Sequence, residues 1–336
     1  MRINMNEEMY DLTIIGGGPA GMFASFYAGL REMKVQVIES LEQLGGQVDA
    51  LYPEKRILDV AGSVNVSGHD LISDLEKQMR LVNVEVRLGE TVEDVIKQDD
   101  QFKIVTDQQI TYSKTVIIAL GNGAFNPRKL AVDGADELEN KHLFYFIKQK
   151  EHFRNKRVLV AGGGDAALDL TMMLEPVASQ VYLMHRRESF RGLEHMVTAI
   201  EQSKAKLEVP YLLKDLKQNA DESLELTMKK MKSDETKQLT VDDIVVSYGF
   251  TSNNKALTAW SLDLESERHD IKVNSQMMTN IDGVYAIGDG VIYPGKVKLI
   301  ATAFGEGPTA VTAIMNRLYP DKNSHIHSTA IHLDEK

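Results

Sequence analysis

Cysteine is absent from this 336-residue chain. That removes disulfides, thiolate metal ligands, thiolate nucleophiles and any dithiol redox centre from consideration. Long apolar runs are absent too, and nothing approaches the roughly 20 consecutive apolar residues that a membrane helix needs. An excess of basic charge is also missing. The formal net charge is -11, which argues against nonspecific binding to nucleic acid or anionic membranes. The opening MRINMNEEMYD lacks a basic segment followed by a long apolar one, so a cytoplasmic address is expected. The histidines form no ligand pattern beyond a His325, His327, His332 cluster near the end. A polar terminus is the ordinary reading of such a cluster, and no metal is expected.

What is present suits a folded enzyme. Hydrophobic residues make up 43% and charged residues 26%, close to globular averages. The chain is too long for one hydrophobic core, so two domains of roughly 150 residues are expected.

Residues 10 to 15, YDLTII, are a β-branched run that ends in Gly16, Gly17 and Gly18, and MFASFYAGLREM follows with helical spacing. Strand, turn and helix lead to a second strand, VQVIE at 35 to 39, which completes a βαβ unit. The pattern recurs downstream. RVLVA at 157 to 161 runs into Gly162, Gly163 and Gly164, then a helical DAALDLTMML, then the strand QVYLMH at 180 to 185. Each unit is followed by a hairpin-like stretch and a closing strand, TVIIALG at 115 to 121 in the first case. Near the end, GVYAIGD at 283 to 289 reads as a strand entering a Gly-Asp turn, and AFGEGPTAVTAIMNRL as a helix. This last piece has no βαβ unit of its own. The expected fold is therefore α/β, with two Rossmann-like dinucleotide-binding domains and the second inserted into a discontinuous first. The first should span residues 1–120 and 281–336, and the second 121–280.

Both units carry a nucleotide fingerprint. In the first, Gly16, Gly18 and Gly21, with Pro19 and Ala20 between, form G-x-G-x-x-G between strand and helix. The first glycine allows the tight turn, the second admits the pyrophosphate, the third brings helix and strand together, and the helix N-terminus attracts the phosphates. Glu39 ends the next strand, where an acid accepts hydrogen bonds from a ribose hydroxyl. In the second, Gly162, Gly164 and Ala167 form the fingerprint, with Asp165 and Ala166 opening the helix. Glu39 lies 21 residues after Gly18, and the residue 21 after Gly164 is His185, followed by Arg186 and Arg187, with Arg191 close behind. A carboxylate there would repel a 2′-phosphate, whereas guanidinium groups bind one bidentately. The middle domain is expected to prefer NADPH to NADH.

With GGQ at Gly45 to Gln47, HRRxxxR in the middle domain and GVYAIGD near the end, the chain resembles the low-molecular-weight thioredoxin reductase superfamily over nearly its whole length. Those reductases place a Cys-x-x-Cys before the second glycine turn. Here Tyr145, Phe146, Ile147 and Lys148 stand in its place. The segments GGQVDALYPEKRILDVAG, ALGNGAFNPRKL and HSTAI resemble instead the thioredoxin-reductase-like (type 2) branch of ferredoxin-NADP reductases. That resemblance implies FAD and NADPH as cofactors, a homodimer, and ferredoxin or flavodoxin as electron acceptor. It also implies that Asp289 holds the flavin ribityl and pyrophosphate region, and that Gln47, Tyr52, Val92, Phe125 and Thr329 contact FAD. Tyr52 and His327 would cover the two faces of the ring, and a helix opening near Ala303 and Gly305 would turn its positive end toward it.

Hydride transfer between nicotinamide and flavin needs no protein acid or base, so no catalytic residue is expected beyond those that position the cofactors. Two other functions fit the same residues: an NADPH reductase of a small acceptor (a disulfide, a quinone or a ferric chelate), and a flavin-binding redox sensor that does not turn over. The missing cysteines weigh most against the disulfide. Residues 141 to 157 carry Lys141, Lys148, Lys150, Arg154, Lys156 and Arg157 against Glu151 alone, an expected basic surface for an acidic carrier.

Overall fold

The structure is a computed structural model that describes residues 9–121, 123, 126–251 and 255–322. It divides into two units. The first comprises Met1–Ala50, Arg56–Ala124 and Ser252–Lys336, and the second Leu51–Lys55 and Phe125–Thr251.

In the first unit, β1 (Met9–Ile15) runs through the glycine turn into α1 (Pro19–Leu30), where Pro19 occupies the first turn. Proline suits that position because its missing N–H has no helical partner there. After β2 (Val35–Ile38) come α2 (Gly46–Leu51), α3 (Gly68–Met79) and β3 (Val84–Arg87). The hairpin β4 (Val92–Gln98) and β5 (Gln101–Thr106) then leads to the long β6 (Ile110–Ile118). Strands β3, β2, β1 and β6 are parallel neighbours in that order. Both faces of these strands are covered, so their apolar residues run on without alternation. Ile14 and Ile117 face one core, together with Ala24, Ala28, Ala310 and Ile314. Their neighbours Ile15, Val116 and Ile118 face the other, with Val95, Ile104 and Trp260.

The second unit repeats the plan. Strands β7 (Leu143–Phe144), β8 (Arg157–Gly162), β9 (Gln180–Met184), β10 (Lys206–Glu208) and, later in the chain, the strand Asp243–Ser247 form a parallel sheet with β8 at its centre. Helix α4 (Asp165–Leu174) joins β8 to β9, and α5 (Glu194–Gln202) joins β9 to β10. An antiparallel meander, β11 (Tyr211–Gln218), β12 (Leu224–Lys230) and β13 (Thr236–Val241), precedes that last sheet strand, β14.

The chain then returns to the first unit. Strand β15 (Val284–Ala286) pairs in parallel with Val116–Ile118 of β6, whose earlier residues on the same edge pair with β5. Helix α6 (Ile300–Leu318) packs on α1, and a side chain on Gly307 would come within 3.2 Å of the Ala24 backbone. The discontinuous architecture is as expected, but the boundary differs. Residues 255–280, expected in the middle domain, group with the first unit. The reason is apolar contact: Trp260, Leu262 and Ile271 complete the core under β4 and β5, Trp260 Nε1 donates to the Val92 carbonyl, and Asp94 accepts from the N–H and hydroxyl of Ser261. No helix among the described residues is long and apolar enough to cross a membrane.

Trp260 is the sole tryptophan and is buried in the first unit's core. Its fluorescence therefore reports the unfolding of that unit. Truncating the fully buried Ile104 beside it to alanine should destabilise the transition by about 2–5 kcal/mol. Leu226→Ala, in the other unit's core, should shift the same tryptophan signal less. Urea titrations of the two variants decide, and equal shifts would break the assignment of Trp260.

Candidate functional site

The first glycine turn sits at the C-terminal end of β1 beside β6. A Cβ on Gly16 would fall closer than 3.0 Å to the Ala119 backbone, and one on Gly21 would do the same to the Gly16 carbonyl. At Gly18, by contrast, a Cβ would meet nothing within 4 Å. Two positions are closed by protein and the middle one is open, which is the arrangement that lets a pyrophosphate reach backbone N–H groups. Gly18 is also the N-cap of α1, and no side chain caps that helix, so its first amides are left for a ligand.

Other chain segments converge on this turn. Glu39 is 7% exposed, with one oxygen accepting from the Gly17 N–H at 2.7 Å and the other from Leu41 N and the Ser40 hydroxyl. A carboxylate offers about four acceptor sites, so the one left over is where a ribose hydroxyl would bind. Gly45 N donates to the Gly17 carbonyl, and the start of α2 at Gly46, next to Gln47, lies against Gly18. At the far end of the chain, β15 delivers the turn Gly288–Gly290. Gly288 has φ +82°, and a Cβ there would touch Ala20, while one on Gly290 would strike the Gly121 carbonyl. Asp289 is half-buried, and no hydrogen bond to its carboxylate occurs among the described residues. Burial pushes its carboxyl up, against the pull of Lys296 and Lys298. Helix α6 opens at Ile300, three residues before Ala303, and also has no side-chain cap.

Val92 is buried at the start of β4, in the core with Trp260. Tyr52 falls in the second unit, where Lys55 Nζ lies 5.5 Å from its ring centroid, Lys55 pairs with Asp169, and Glu54 accepts from Lys150 N. Phe125, His327 and Thr329 lie outside the described residues.

The second turn reproduces the first. A Cβ on Gly162 would strike the Ser247 carbonyl and Ala167, while at Gly164 the nearest atom would be 3.9 Å away. The segment after β9 folds back over it: Arg191 N donates to the Gly163 carbonyl, and Asp165 accepts from Leu193 N. Asp165 and Ala166 thus open α4 at the turn. Arg186, Arg187 and Arg191 are exposed and carry no ion pair among the described residues. Three unneutralised guanidinium groups beside a glycine turn form a ready phosphate site.

His185 is placed differently from the arginines that follow it. It is 7% exposed, packs so closely under Gly163 that no side chain could stand there, and stacks on Phe190 at 5.8 Å. It occupies the place that Glu39 holds under Gly17, and its Nε2 is buried without a hydrogen-bond partner among the described residues. Burial holds its pKa below the ordinary value, helped by Arg191, Arg187 and Arg186.

The segment that replaces the dithiol is structural. Ile147 is buried, Tyr145 accepts from Leu130 N, and Phe146 stacks on Phe250. The basic surface expected over 141–157 is smaller than its sequence suggests, because Arg154 pairs with Glu151, Lys156 with Asp243 and Arg157 with Asp242. Lys141 and Lys148 remain exposed, and Lys150 partly so. No cluster of potential metal ligands occurs among the described residues.

A chain with two glycine turns of this geometry, one next to an acid and the other next to arginines, is a two-dinucleotide oxidoreductase. The pyridine nucleotide-disulphide oxidoreductase family model matches residues 10–307, and the chain belongs to that family, with FAD and a pyridine nucleotide as its cofactors. A ferredoxin–NADP reductase of Limosilactobacillus reuteri is 60% identical over 328 residues, covering 97% of this chain and 99% of that one. One from Limosilactobacillus fermentum is 58% identical over 326 residues, with the same coverages. Among solved structures, Lactococcus lactis thioredoxin reductase superposes with a TM-score of 0.79 at 27% identity, covering 91% of this chain and 98% of that one.

A depressed histidine pKa means that the unfolded chain binds the proton more readily. The stability contributed by neutral His185 is therefore complete above about pH 6.5 and falls as pH drops from there toward the lowered folded value. In the ligand-free protein at pH 6.5, nitrogen-detected NMR should show a predominantly neutral His185 ring, and a mainly charged ring would contradict the packing described.

Proposed function

We propose that this chain is an FAD-dependent ferredoxin–NADP reductase, taking hydride from NADPH and delivering electrons singly to ferredoxin or flavodoxin. The observation that carries the reading is the exchange between the two turns, where buried Glu39 of the first is answered in the second by Arg186, Arg187 and Arg191, which carry no ion pair among the described residues. An acid suits the unphosphorylated ribose of FAD, and a guanidinium cluster suits the 2′-phosphate of NADPH. The names of the 60% and 58% identical relatives support the acceptor. The absence of cysteine leaves no dithiol to carry electrons to a disulfide.

The chemistry supplied by bound FAD is acceptance of a hydride and release of electrons one at a time. The chain's own residues bind and orient. Gly16, Gly18, Pro19, Ala20 and Gly21 receive the flavin nucleotide's pyrophosphate, Glu39 its ribose, and Gln47 and Asp289 the remainder. Gly162, Gly164, Asp165 and Ala166 receive that of NADPH, and the arginines fix its phosphate. His185 supports this turn from below, with the ring of Phe190 against it. No residue is assigned as general acid or base, since positioning is the protein's contribution. The family resemblance supports a homodimer, with Tyr52 and His327 over the ring. Composition and the lack of a membrane-length helix among the described residues support a cytoplasmic setting.

Three measurements test this. The purified protein should be yellow with one FAD per chain, and a colourless preparation that takes up no FAD would refute it. Replacing Arg186 and Arg187 together by alanine should lower kcat/KM for NADPH at least tenfold per arginine lost, about a hundredfold for the pair, with little change for NADH, since each charge-assisted contact contributes about 1.5–3 kcal/mol. Reversing Lys148 and Lys150 to glutamate should slow ferredoxin reduction about tenfold at low ionic strength and flatten its salt dependence. Ferricyanide reduction should be unchanged in that variant, and an unaltered ferredoxin salt slope would place docking elsewhere.

A further inference from the structure

Beside the Gly-Asp turn lies a cluster of charged groups that the assignments above leave unused. Glu306, nearly two turns into α6, is 3% exposed. One carboxylate oxygen accepts from the Gly288 N–H at 2.7 Å. The other accepts from the Tyr293 hydroxyl at 2.7 Å and from Lys296 Nζ, and the Lys296 side chain is itself only 4% exposed. A buried ion pair adds little net stability, because the loss of hydration offsets the attraction, and apolar residues of similar volume would hold helix and loop at least as well. The contacts themselves are directed. Glu306 holds the residue before Asp289, and Lys296 is the foremost cation acting on the half-buried Asp289 carboxylate, with Glu306 opposing it. The uncapped first turn of α6 adds its partial positive charge to the same region.

We propose that Lys296 and Glu306 are positioning residues that fix the Gly288–Asp289 turn against the flavin and set its reduction potential through two opposed buried charges. The proposal rests on the reading of this turn as part of the FAD site. Reduction adds negative charge to the flavin, so a nearby cation favours the reduced form and a nearby anion disfavours it. Removing one member of the pair leaves the other uncompensated in a poorly hydrated place, and the two removals must act with opposite sign.

The test is the midpoint potential of bound FAD, by dye equilibration, in the wild type, Lys296→Met, Glu306→Gln and the double variant. Lys296→Met should lower the reduced-to-oxidised ratio at fixed poise about tenfold, a shift of about 30 mV to more negative potential for a two-electron couple. Glu306→Gln should shift it by a similar amount the other way, and the double variant should return to within about threefold of the wild-type ratio. Shifts of the same sign in both single variants, or none, would overturn the proposal, since a merely structural pair gives no opposed response. If a single variant does not retain flavin, the double variant decides. FAD retained there supports the pairing, and FAD lost there refutes it. A wild-type protein that takes up no FAD overturns the site assignment and the proposal together, whereas FAD uptake with unopposed shifts overturns the proposal alone.

Discussion

The structure depends on a close approach made twice. At Gly16 and at Gly162 the end of a strand passes so near the backbone of the neighbouring strand that no Cβ fits between them. Once that approach is fixed, the following helix must start at the same point, its first amides facing outward over a glycine whose side-chain position is open. Room for a pyrophosphate follows from this packing and needs no dedicated side chain. The two copies differ just beyond the next strand, where one carries a carboxylate and the other guanidinium groups.

Beneath each turn, a residue at the same distance along the chain supports the middle glycine. In the first copy it is Glu39, hydrogen-bonded to Gly17 N. In the second it is the ring of His185, packed against Gly163. Charge-based comparison picks out both positions but groups His185 with the arginines after it. Strand geometry separates them, because His185 points inward at the end of β9 while Arg186 and Arg187 have already left the sheet.

Much of the fold was legible because its signals are local. β-branched runs ending in glycine triplets located both βαβ units, and the offset comparison picked out the exposed arginines that follow β9. What was not legible depends on contacts between distant segments. Residues 255–280 carry no strong periodic pattern, and their membership of the first unit becomes visible once Trp260 is seen against Val92 and Val95. The basic run over 141–157 has a single acid within it, yet half its cations are neutralised, Arg154 by Glu151 next to it and Lys156 and Arg157 by Asp243 and Asp242, some 85 residues away. Glu306 could have drawn notice as a lone acid in the small and apolar AFGEGPTAV. Its partners could not, since nothing in the spacing of Tyr293 and Lys296 requires them to meet it.

The pairing of Val284–Ala286 with Val116–Ile118 imposes an order on synthesis. When β6 leaves the ribosome, half of one edge has no partner, and the strand that fills it is still about 166 residues away. At roughly 5–20 residues per second that is a wait of about 10–30 s. Nearly all of the second unit lies within that interval as one continuous stretch, so it can finish folding first. The nascent first unit must meanwhile keep an incomplete sheet edge from pairing with other chains. Val116, Ile117 and Ile118 are thus the residues at which a slowed or truncated translation product would first aggregate.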